Sequence, residues 1–89
     1  MQPLRALLVG AGGMGRTWAK NLVNNRDVQL AGWIDIRPGA AAQAGHDLSI
    51  SADYYGEDLG VALGIVQPDF VVDVTIPEAH HDVTLTCLN

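Results

Sequence analysis

Leu7-Leu8-Val9-Gly10-Ala11-Gly12-Gly13-Met14-Gly15 decides the reading of this chain. An apolar run stops abruptly in glycines, and a helical pattern starts at once behind them. Gly10, Gly12 and Gly15 have the G-x-G-x-x-G spacing of a dinucleotide-binding turn. Each position has a mechanical reason to lack a side chain. Gly10 allows a tight exit from the strand, Gly12 lets the backbone approach a pyrophosphate, and Gly15 lets the helix pack close to the sheet. The amides that open the helix have no intrahelical acceptor and sit at the positive end of its dipole. A phosphate is held at such an end without a lysine.

Ten glycines in 89 residues produce short glycine patterns by chance, so context has to carry the motif. A strand before it, a helix after it, a second strand, and an acid about twenty positions on are all required. Leu4 to Val9 is a short run without alternation, apolar from Ala6 on, as befits a strand buried on both faces. From Gly13 to Asn24, Met14, Trp18 and Leu22 recur at fours beside Gly15, Ala19 and Val23, which makes one helical stripe. Val28 to Ile34 is the second strand, and Asp35 lies at its end, twenty residues past Gly15. The β–α–β unit is complete.

Pro38 suits the start of a short helix that the pattern ends at Gly45. A third strand lies near Leu48 to Ile50 or near Tyr54-Tyr55, and the pattern does not choose between them. Glu57 and Asp58 suit a helix N-terminus, with Leu59, Ala62, Leu63 and Val66 as its stripe. Phe70 to Ile76 is the fourth strand, closed by Pro77, and Glu78 to Leu88 reads as a helix with Ala79, Val83 and Cys87 on one side. The expected fold is α/β: a Rossmann-type parallel sheet in the order 3-2-1-4 with helices on both faces. A two-halved domain of this kind needs about 120 to 150 residues. Residues 1–89 therefore read as a truncated N-terminal nucleotide-binding domain.

Charge is unevenly placed. Arg5, Arg16, Lys20, Arg26 and Arg37 leave the first 37 residues at +3, and the rest, with no Lys or Arg, carries −8. No basic face for nucleic acid follows from that balance, whereas a basic half around a phosphate turn suits a small anionic cofactor. Nothing approaches the ~20 apolar residues that span a bilayer. Cys87 is the single cysteine, so no internal disulfide forms and a reducing, cytoplasmic setting is expected.

In order and spacing, Val9-Gly-Ala-Gly-Gly-Met-Gly15, Ile34-Asp35, Gln67-Pro68-Asp69 and Pro77-x-x-x-His81 resemble the N-terminal domain of the glucose–fructose oxidoreductase/inositol dehydrogenase (Gfo/Idh/MocA) family. The likeness runs over essentially the whole chain. It implies an NAD(P)-dependent oxidoreductase that moves hydride between the nicotinamide and a carbinol carbon of a sugar, cyclitol or related polyol. It places the pyrophosphate at Gly12, Gly13 and Met14 and the adenosine ribose on Asp35. The central and nicotinamide portion falls against Thr75, Ile76 and Pro77, with His81 near the nicotinamide end in a mainly structural role. The family often has Ser or Thr before that proline and Asn after it, where this chain has Ile76 and Glu78. Backbone contacts carry over there and side-chain hydrogen bonds do not. The family's Glu-Lys-Pro motif and its catalytic domain lie beyond Asn89, so the catalytic residues are expected outside this sequence.

Asp35 suits NAD, since its carboxylate accepts from both ribose hydroxyls and repels a 2′-phosphate. Arg37 keeps NADP open, by stacking on adenine or pairing with that phosphate. Trp18 and Trp33 are expected in packing. His80 and His81, neighbours pointing about 100° apart on a helix, do not make a metal site. Asp73, inside an apolar strand, is either catalytic or, as the favoured reading, hydrogen-bonded to a neighbouring element. An NAD(H)-sensing module without catalysis is the alternative function, and a structural remnant that binds nothing is a third. The bare outer edge expected for the fourth strand predicts that residues 1–89 self-associate or are marginally stable, and a homo-oligomer is expected of the protein.

Overall fold

The computed structural model describes residues 3–75 and 82–85. β1 (Leu4–Val9) is central, pairing in parallel with β2 (Val28–Ile34) on one side and β4 (Phe70–Asp73) on the other. β2 also pairs in parallel with β3 (Tyr54–Gly56), and β4 pairs antiparallel with β5 (Asp82–Leu85). The sheet order is β3-β2-β1-β4-β5. Its parallel part is the expected 3-2-1-4, and the strand order reverses between β1 and β4.

β1 shows why an unbroken apolar run was needed. Ala6 and Leu8 enter one core cluster, while Leu7 and Val9 enter the other. The first cluster is closed by Ala19 and Leu22 of α1 (Gly13–Val23) and by Ala41 and Ala44 of α2 (Ala40–Leu48). The second is closed by Ala62 and Val66 of α3 (Leu59–Val66). Helices thus cover both faces. An irregularity in β1–β2 pairing skips Ala31, so Leu30 and Trp33, three residues apart, meet the same cluster. One extra residue in a strand produces this effect. At Gly32 an added Cβ would stand 2.8 Å from both Leu7 Cδ1 and Val66 Cγ2, which lets α3 sit close to the sheet.

Three local expectations need correction. α2 runs through Gly45 to Leu48 and is capped by Ser49 in the left-handed region. Gly45 is there for proximity, since an added Cβ would lie 2.9 Å from the Ile50 carbonyl oxygen. Asp73 finds its partner locally: its Oδ1 accepts from the Thr75 amide and hydroxyl. Residues 82–85, expected to be helical, form β5, because β4's outer backbone groups otherwise lack acceptors and donors and Val83-Thr84 suits a strand. β4's outer edge is therefore covered, which removes the reason for self-association through it. Among the described residues no helix is long and apolar enough to cross a membrane.

Candidate dinucleotide site at the mouth of the first helix

The glycine turn is built by four separate fixings. Gly10 adopts φ +117°, a conformation open to glycine, and its amide donates to the Ile34 carbonyl at 2.8 Å. Its own carbonyl accepts from the buried Trp33 Nε1 at 2.7 Å. Ala11 donates its amide to Asp35 Oδ2 at 2.8 Å. Behind the turn, an added Cβ on Gly15 would lie within 2.6 Å of the Gly10 carbonyl carbon and closer still to its oxygen. The turn, the second strand's end and the helix start are thus one rigid piece.

Gly12 and Gly13 differ from these. Gly12 caps α1 at φ −78°, ψ −165°, which any residue can adopt, and an added Cβ at either position meets nothing within 4 Å. The fold asks for glycine at 10 and 15 but not at 12 and 13. These two and Met14 are exposed at the helix mouth, where the first-turn amides have no intrahelical acceptor. A cradle stripped of side chains without a packing reason fits a ligand that comes down to the backbone, and an anion is what such amides hold.

Asp35 is 6% exposed and fully engaged. Besides the Ala11 amide, it accepts from the Arg37 amide at 2.8 Å and from Arg37 Nε and Nη2 at 3.0 Å each. The Arg37 side chain is 64% exposed. Hydrogen bonding by its guanidinium, helped by the two amides and opposed by burial, holds the Asp35 carboxyl down at about 2. Because the folded value is depressed, this stabilisation is present above the ordinary carboxylate range. It is lost as pH falls through about 2.

Thr75 reaches the same end of the sheet. An added Cβ on Gly10 would stand 3.3 Å from Thr75 Cγ2, and the Val74 amide donates to the Val9 carbonyl at 3.0 Å. The structure therefore brings together Gly10, Gly12, Gly13, Met14, Gly15, Asp35, Arg37 and Thr75 around the carboxyl end of β1. Ile76, Pro77 and His81, together with His80, lie outside the described residues. Among the described residues no group of His, Cys, Asp or Glu forms a metal site.

The sequence points Trp33 to packing rather than cofactor stacking, and its hold on the Gly10 carbonyl is a role that reading does not contain. A signal existed, since Trp33 and Asp35 are two apart at a strand end and so share the side facing the turn. Asp35 likewise braces the turn through Ala11, a role separate from any toward a ribose.

Solved structures share this fold. The solved structure of GenD2 from gentamicin A biosynthesis in complex with NAD is 24% identical, covers 90% of this chain and superposes with TM-score 0.72. Scyllo-inositol dehydrogenase from Lactobacillus casei, with NAD(H) and scyllo-inositol, is 20% identical over 84% of the chain with TM-score 0.69. An oxidoreductase from Agrobacterium radiobacter with NAD+, L-tartaric acid and magnesium is 19% identical over 89%, with TM-score 0.71. This chain spans 22% of the length of each. Among curated proteins no sequence matches it. The family described as "Oxidoreductase family, NAD-binding Rossmann fold" (GFO_IDH_MocA) matches residues 4–89. The chain belongs to that oxidoreductase family, and residues 4–89 match its NAD-binding Rossmann fold.

Proposed function

We propose that this domain holds the cofactor for hydride transfer between a nicotinamide and a hydroxyl-bearing carbon of a sugar, cyclitol or related polyol. The observation that carries the reading is the open, side-chain-free cradle at Gly12 and Gly13 beside the buried carboxylate of Asp35. The family description favours an oxidoreductase over a sensing module. The polyol class is supported by the scyllo-inositol and L-tartaric acid bound in similar proteins.

In this reading the amides of Gly12, Gly13 and Met14 hold the pyrophosphate, and the Trp33 and Asp35 bonds keep the turn from moving under it. Asp35 grips the adenosine ribose, and NAD is the cofactor that suits it. Thr75 lies toward the nicotinamide portion, the portion to which the family resemblance also assigns Ile76, Pro77 and His81. When bound, the nicotinamide supplies the hydride-accepting or hydride-donating carbon. The described residues bind and orient it, and none is assigned to the reacting carbon. A cytoplasmic setting belongs to the same reading, and assembly as a homo-oligomer would use a surface other than the covered edge of β4.

Calorimetric titration tests the reading. Wild-type protein is expected to bind NADH saturably, and Asp35→Ala to bind it at least about tenfold more weakly, the effect of losing charge-assisted hydrogen bonds to the sugar. Folded wild-type protein that gives no heat with millimolar NADH would remove the cofactor assignment.

A further inference from the structure

A carboxylate has about four acceptor positions, two on each oxygen, and in Asp35 all four are taken. Oδ1 accepts from the Arg37 amide and Arg37 Nε, and Oδ2 from the Ala11 amide and Arg37 Nη2. Each oxygen therefore holds one backbone donor and one guanidinium donor. The backbone donors are main-chain groups, Ala11 in the glycine turn and Arg37 just past the end of β2, and they stay in place when the arginine side chain moves. The guanidinium donors sit on a side chain that is 64% exposed. A ribose cis-diol also offers two donors side by side, one for each oxygen. The fork and the diol compete for the same two acceptor positions.

We propose that the Arg37 side chain is a displaceable placeholder for the ribose diol on Asp35. It swings off when the adenosine ribose is gripped, and the freed guanidinium then stands beside the sugar's 2′ position. This deepens the cofactor reading above and rests on it. Two consequences have opposite signs. Arg37 lowers affinity for NAD(H), because each binding event first breaks the fork. It raises affinity for a 2′-phosphorylated cofactor, because the freed guanidinium is a bidentate phosphate donor. Arg37 thus sets the ratio between the two cofactors from a position where it need not touch NAD at all.

The size of each effect follows from exposure. The guanidinium half of this pair is largely exposed and is drawn back toward water, so removing the competitor strengthens NADH binding by only about threefold. Losing an arginine–phosphate pair weakens NADPH binding by about tenfold. Wild type, Arg37→Ala and Arg37→Lys are titrated with NADH and with NADPH, following nicotinamide fluorescence, with melting temperature recorded for each. Arg37→Ala is expected to bind NADH more tightly and NADPH more weakly. Lysine keeps the charge but not the fork, so Arg37→Lys is expected to bind NADH more tightly while keeping NADPH affinity within about threefold of wild type. Weaker NADH binding by Arg37→Ala would make the arginine a direct ligand and overturn the proposal. Unchanged NADH affinity in both variants would make it a bystander and overturn it equally. If folded wild type binds neither cofactor, the cofactor reading fails in that arm and the placeholder fails with it.

Discussion

Valine at position 12 is expected to abolish cofactor binding while leaving the fold nearly intact. The position has backbone angles open to any residue and empty space where a side chain would go, so the folded protein has room for valine. The cost on folding is that of a poorer helix cap, about 1 kcal/mol or less. The cost on binding is much larger. Valine's two methyl groups would stand where a pyrophosphate must approach the helix amides, and hydrogen bonds to those amides could not form. We expect NADH affinity to fall at least about a hundredfold in Gly12→Val, roughly 2.7 kcal/mol. Calorimetry measures this, with thermal melting as the control. A variant that melts near wild type and still binds NADH at wild-type affinity would show that the ligand does not come down to this backbone.

Gly15→Ala is expected to do the reverse, striking the fold before the ligand. The added Cβ would lie within 2.6 Å of the Gly10 carbonyl carbon and nearer to the oxygen, and both are main-chain atoms. No rotamer change relieves such a clash. That same oxygen is pinned by the Trp33 indole N–H at 2.7 Å, and the Gly10 amide is tied to the Ile34 carbonyl. α1 must therefore move away from β1, opening the buried layer formed by Ala11, Ala19 and Leu22. Overpacking of a core usually costs about 1 to 3 kcal/mol. An immovable backbone partner puts this case at the upper end or above it. For a domain of this size that corresponds to a fall in Tm of at least about 10 °C. A Gly15→Ala protein that melts within 2–3 °C of wild type (less than about 1 kcal/mol) would contradict the described packing.

The contrast between the two glycines explains how much could be read from the sequence. The motif marks both as glycine, and its spacing beside Asp35 was enough to place the turn, α1, β1 and β2. What the pattern does not show is which glycines the fold needs and which it leaves bare; that requires the neighbours in space. Elements placed by tertiary pairing were also hard to read. β3 is three residues long and exists because Gly32 to Ile34 of β2 offer it a partner, with Tyr55 Oη bonded back to the Ile50 carbonyl. Neither feature leaves a period in the local sequence. Gly45 looked like a helix stop, yet it accommodates close backbone neighbours within a continuing helix. The segment after Pro77 carried apolar residues at fours, and the open edge of β4 drew residues 82–85 into a strand instead.

Among candidate site residues, chemistry was legible where the residue type is scarce in its setting. A carboxylate at the end of an apolar strand had few purposes, and Asp35 is buried at the turn. Its bracing of Ala11 and its full occupation by Arg37 depend on directions of hydrogen bonds, and residue spacing does not encode them. The sequence points Arg37 toward adenine or a 2′-phosphate, and its pairing with Asp35 is a further contact that spacing does not encode.

The central claim is that a dinucleotide phosphate rests on bare main-chain amides at the start of α1. Backbone amide resonances recorded during titration with NAD test it most directly. The account predicts that the largest shifts fall on Gly12, Gly13 and Met14, with Ala11, Asp35 and Arg37 following as the ribose is gripped. Shifts centred instead on the cleft lined by Gly45, His46, Ser49 and Tyr55, with the glycine turn unmoved, would contradict it.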